Sequence, residues 1–237
     1  MTERPTPAPA ATYARMWSEA LPLIRRNEVA PEPLPVEGGP RWGVSAVLRA
    51  ERGSPVVERL VAATRAVADQ AGPEHVAFDG TLIHVTIRSL EAYRADVGPD
   101  DPAIELYART IAEEVSGEPP FEIRFAGLAP TRSGVVACGW PVDERIARLR
   151  TRLHERLRDA APVPGPETER PRDLEHATLL LFGGTLRDPD GTAAALEARR
   201  QTAFGTARFD RVELIKTIRT EHTLRFEALR AIELTGG

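Results

Sequence analysis

Two short segments of this chain carry residues fit for acid–base chemistry. One is Leu82-Ile83-His84-Val85-Thr86-Ile87-Arg88; the other is Leu174-Glu175-His176-Ala177-Thr178-Leu179-Leu180. Each sets an imidazole two residues ahead of a threonine hydroxyl inside an apolar run. Such runs read as strands, and on a strand residues i and i+2 share a face. His84 and Thr86 then point one way, with Val85 and Ile87 opposite. His176 and Thr178 repeat the pattern, with Ala177 and Leu179 turned to a core. Imidazole titrates near neutrality, so one ring can take a proton while the other gives one. The hydroxyls can donate to developing charge. Together these suit a hydrolysis in which an attacking water loses a proton and a leaving oxygen gains one. The spacing does not say which ring is the base.

Chance sets the bar. Two of 5 histidines followed by a hydroxyl at the second position arise by luck in roughly one such chain in ten. Requiring both in apolar strands, one per half, lowers this to about one in a hundred. The plain alternative is two satisfied strand histidines beside threonines chosen for β propensity. For a single motif that alternative is the better one; for the pair, function outweighs it.

Further candidates surround the motifs. Arg88 continues the alternation of His84 and Thr86, which puts it in reach of a phosphate; the rival is a rim arginine snorkelling to solvent. Tyr93 and Trp42 are placed to stack on a base, or simply to pack. Residues 167–172, just ahead of the second motif, are either a cover for the site or a solvated connector. His75, His154 and His222 are given no role. Neither motif histidine has a His or carboxylate at ligand spacing except Glu175, whose side chain should face away from His176, so no metal is expected.

The elements that must position these residues follow from periodicity. Residues 1–11 are Pro- and Ala-rich and read as a tail. An amphipathic helix spans residues 12–27 with Pro22 inside, and a Pro/Gly-rich linker follows to residue 41. Strands are expected at 43–50, 75–78, 82–90, 121–128, 134–140, 175–182, 207–217 and 223–234. Helices are expected at 55–70 behind a Ser54 cap, from Asp101 to about residue 116, at 143–160 and at 192–201. Helices alternating with strand pairs give an α+β fold with antiparallel sheets.

Composition bounds the function. The chain has 237 residues, 42% hydrophobic and 28% charged, which excludes a disordered protein. A net charge of −4 excludes a protein whose affinity rests mainly on neutralising long stretches of phosphate. Cys138 is the single cysteine, so there is no intramolecular disulfide and no Cys-based zinc site. No signal-like stretch and no run of membrane-spanning length is present, so a cytoplasmic protein is expected.

The paired His-x-Thr strands, His84/Thr86 and His176/Thr178, resemble those of the two-histidine (2H) phosphoesterase superfamily. That group includes the bacterial RNA 2′,3′-cyclic phosphodiesterases also called 2′-5′ RNA ligases. The resemblance spans residues 42–234 in element order, with 1–41 left as an N-terminal tail, helix and linker. It implies a bilobal fold, two antiparallel sheets facing a central groove, helices outside. It implies His84 and His176 as catalytic residues, with Thr86 and Thr178 on opposite walls. By analogy His176 is the base and His84 the acid. The expected partner is a nucleotide or an RNA 2′,3′-cyclic phosphate end, bound by a monomer without cofactor, metal or membrane. Members commonly carry an arginine soon after the second threonine; here Leu180, Leu181 and Phe182 follow, and Arg88 follows the first motif instead. Two rivals stay open: a module that binds nucleotides or RNA ends without turnover, and a vestigial groove beside an N-terminal interaction or dimer helix.

Overall fold

A computed structural model of the chain describes residues 9–51, 53–167, 171–221 and 223–236. The start of the expected tail, the middle of the 167–172 loop and His222 lie outside the described residues.

Local signals place most elements. The helix α1 covers Pro9–Arg25 and runs through Pro22. α2 (Pro55–Ala71) starts on Pro55 with Ser54 in extended backbone, yet the Ser54 hydroxyl makes no capping bond. α3 (Pro102–Glu114) is capped by Asp101, whose carboxylate accepts from the Ala103 N–H at 2.8 Å. α4 (Arg145–Leu157) buries Ile146, Leu149, Leu153 and Leu157 along one stripe. α5 (Pro189–Glu197) begins three residues earlier than expected. Asp188 caps it through the Gly191 N–H, and Pro189 supplies the preset φ of a first turn.

The strands are β1 (Ser45–Arg49), β2 (Val76–Ala77), β3 (His84–Ser89), β4 (Phe121–Thr131), β5 (Gly134–Pro141), β6 (His176–Leu181), β7 (Ala203–Phe209), β8 (Arg211–Arg219) and β9 (Leu224–Glu233). All pairings among them are antiparallel. The order is β7-β4-β5-β6-β3-β1-β8-β9, with β2 also on β6. The α+β class is as expected. Where two facing sheets were expected, the strands form one hydrogen-bonded path. The join lies between β3 and β6 and rests on a single pair, Val85 with Ala177. α1, α2 and α5 pack about the β4–β7 flank; α3 and α4 pack about β3, β8 and β9.

One expected strand is two. The run 207–217 breaks at Asp210. β7 pairs with β4 at one edge, while β8 lies six strand positions away between β1 and β9. In a flat sheet six steps cover about 29 Å, but the hop from Phe209 to Arg211 spans at most about 7 Å. The sheet therefore curls until its two flanks meet at Asp210. Phe209 of β7 duly lines the same apolar pocket as Ile83 and Val85 of the β3 region.

Residues 9–41, expected ahead of the domain, pack into it. Tyr13, Trp17 and Ile24 belong to the main core. The Trp17 indole N–H donates to the Leu128 carbonyl at 3.0 Å. The Tyr13 hydroxyl donates to the Glu175 carbonyl and accepts from the Gly139 N–H at 3.0 Å.

Candidate active site

The alternation read from the sequence positions four side chains together. Val85 and Ile87 are buried beneath β3, and Ala177 and Leu179 beneath β6. His84, Thr86, His176 and Thr178 come up on the other face, partly buried, and all four line one cavity of about 320 Å³. The pair Val85–Ala177 fixes the antiparallel register. In that register His84 lies across from Thr178, and Thr86 across from His176.

The His84 ring is held on three sides. Its Nδ1 lies 2.7 Å from the Leu82 carbonyl. A carbonyl only accepts, so Nδ1 carries the proton and Nε2 is the free lone pair of the neutral ring. Phe78 stacks at 6.4 Å between centroids, and Phe226 meets the ring edge-on at 4.8 Å. Burial pulls His84 down to about 4; the Leu82 carbonyl opposes this, and the Arg172 and Arg49 guanidiniums add to it. His176 is pulled to about 3, again by burial first, then by Arg172, Arg150, His84 and Arg41. Its Nδ1 is buried without a hydrogen-bond partner. Both rings are therefore neutral near pH 7, and an anion placed between them would raise both.

Of the outer candidates, Trp42 lines the cavity and two do not. Arg88 is turned to the opposite face. Val47 pairs with Thr86 but Ala46 pairs with Arg88, so Ile87 is an extra residue, a β-bulge. The bulge reverses the alternation, and Ser89 takes the cavity position instead. Arg88 is 2% exposed and its Nη1 lies 3.1 Å from His154 Nδ1 on α4. Tyr93 sits past the end of β3. Its backbone N–H and C=O bind Gly39 and Gly38, so it anchors the linker rather than the cavity.

That linker brings Arg41 and Trp42 to the cavity rim. Trp42 has φ +72° and donates its indole N–H to the Pro33 carbonyl at 2.7 Å. The Arg219 guanidinium covers its ring at 4.7 Å. Across the cavity, Pro166, Glu167 and Arg172 come from the loop before β6. Arg172 is paired with Glu167 at 2.7 Å. Arg41, Phe78 and Phe226 escaped the sequence reading, whereas Arg172 belongs to the 167–172 loop read as either a cover or a connector. Glu175 faces away from the cavity and is ion-paired with Arg150. Among the described residues no group of three or more His, Cys, Asp or Glu is placed to hold a metal ion, and no helix is long and apolar enough to cross a membrane.

No protein-family model and no curated protein sequence matches this chain. Solved structures do match. The protein TT0787 of Thermus thermophilus superposes with a TM-score of 0.59 at 18% identity, over 82% of this chain and 98% of that one. A phosphoesterase follows at 0.56 and 14% identity, with the same coverage. LigT of E. coli, solved with 3′-AMP, gives 0.53 at 15% identity, again over 82% and 98%. The chain thus has the fold of the LigT-like phosphoesterases. Nearly the whole of each of those proteins is represented in it.

Proposed function

We propose that this protein is a phosphodiesterase that opens a cyclic phosphate, or cleaves a 2′-linked phosphodiester, at the end of a nucleotide or RNA. The observation that carries the reading is the convergence of His84, Thr86, His176 and Thr178 on one cavity. The LigT fold supports it, as does LigT's binding of 3′-AMP and NADP+. The mechanism needs no metal. One imidazole takes a proton from water as its oxygen attacks phosphorus. The other gives a proton to the departing ribose oxygen, and the P–O bond to that oxygen breaks. Thr86 and Thr178 donate to the non-bridging oxygens, and Arg172 and Arg41 supply positive potential from the rim. His84 suits the acid role: the Leu82 carbonyl stabilises its protonated form, whereas His176 lacks such a partner. His176 is then the base.

The test is a panel of 2′,3′-cyclic nucleotides and 2′-5′ dinucleotides, with product regiochemistry read by phosphorus NMR. His84→Ala and His176→Ala should each lower kcat at least about 100-fold, the usual worth of one acid–base group. Turnover should persist in excess EDTA. Either variant matching wild type would remove the assignment. Tight binding of nucleoside 3′-phosphates with no turnover would identify a binding module instead.

A further inference from the structure

Beneath the cavity, on the face away from it, lies an arginine that neither motif contains. Arg150 of α4 is 2% exposed, and each nitrogen of its guanidinium has a partner. Nη2 donates to the Thr86 carbonyl at 2.7 Å and Nε to the Ile87 carbonyl at 3.2 Å. Nη1 donates to the Glu175 carboxylate, and Nη2 reaches the Leu174 carbonyl at 3.4 Å. One fork therefore grips both motif strands at once: β3 at Thr86 and its bulge, and the chain entering β6 at Leu174 and Glu175.

The seam between those strands is where the sheet is weakest. β5 and β6 share five Cα partners and β1 and β3 share five, but β3 and β6 share one. Strands that separate leave backbone carbonyls without ladder partners, and buried carbonyls need donors. Arg150 supplies them at Thr86, at the bulged Ile87 and at Leu174. It holds the two strands together where the ladder does not. The two imidazoles sit on those same strands, on the other face.

We infer that Arg150 is a positioning residue for the His-x-Thr pair, a clamp under the seam that sets the separation of His84 from His176. The inference rests on the acid–base reading of those two rings. Lysine cannot replace it: an ammonium has its donors on one nitrogen, while the guanidinium spreads five over a rigid plane. Misplacing reacting groups by about 1 Å can cost about 100-fold in rate. The guanidinium also adds positive potential under His176.

Two variants test this. Arg150→Lys keeps the buried charge opposite Glu175. The double variant Arg150→Met/Glu175→Gln removes the pair together, so no lone charge is left inside. In both, a cooperative thermal melt should persist while kcat on a 2′,3′-cyclic nucleotide falls at least about tenfold and KM stays within about threefold. A purely structural pair would lower Tm and leave kcat alone, so wild-type kcat in either folded variant overturns the inference. The second readout needs no substrate. The imidazole NMR signals of His84 and His176, followed through a pH titration, should be displaced in both variants; signals and midpoints unchanged from wild type overturn the inference equally. A wild-type protein without turnover would sink the proposed reaction, and the imidazole signals would still decide whether Arg150 sets the geometry of the rings.

Discussion

Acid should destabilise the fold through the two cavity imidazoles. Burial holds both neutral, His84 down to about 4 and His176 down to about 3. In the unfolded chain each titrates near its ordinary value of about 6.5. The unfolded state therefore takes up protons below about pH 6.5 that the folded state refuses. Stability falls through that window and stops falling only near the folded values. At pH 5 each ring favours unfolding by about 2 kcal/mol, at 1.36 kcal/mol per pH unit. Two rings set a ceiling of about 4 kcal/mol. Solvent in the open cavity screens the site, and about half of that remains. Against a typical stability of about 5–15 kcal/mol this is a large share. Urea unfolding of wild type and of a His84→Asn/His176→Asn double variant, from about pH 7 to pH 5, isolates the effect from that of the carboxylates. Wild type should lose about 2 kcal/mol more than the double variant, and millimolar inorganic phosphate should recover part of the loss. Equal pH slopes in the two proteins would refute the claim that the rings are held neutral.

Two further outcomes follow from placement. Arg88→Met should leave turnover within about threefold of wild type, because the bulge at Ile87 keeps that side chain out of the cavity, whereas Arg172→Met on the rim should cost about tenfold or more; steady-state kinetics on one cyclic nucleotide compares them, and the reverse ranking would contradict the placement. Trp17→Ala should destabilise by about 3–5 kcal/mol, as for a buried aromatic, and lower Tm by roughly 10 °C in a chain of this size; an unchanged melt would mean that α1 is an appendage after all.

Much of this site was legible from period-two alternation alone. His84 with Thr86 and His176 with Thr178 share a face because Val85, Ile87, Ala177 and Leu179 are apolar, and that pattern is local. Arg88 was misplaced because the pattern was continued one step too far. The bulge depends on how β3 pairs with β1 and on the donors Arg150 offers from α4, and neither is a property of residues 82–90. The break at Asp210 had a weak local sign, one acidic residue between two apolar runs. Where β7 and β8 went was a question of topology, and their neighbours β4, β1 and β9 are distant in sequence. The amphipathic face of α1 was readable; that it covers this protein's own sheet was not. Arg41 and Arg172 reach the cavity from irregular segments, where no periodicity predicts direction.

The one-residue passage at Asp210 has a mechanical meaning. Because β7 and β8 stand in opposite flanks of the sheet yet follow one another in the chain, a covalent latch closes the curl. Opening the flanks like the covers of a book would have to stretch peptide bonds as well as break contacts.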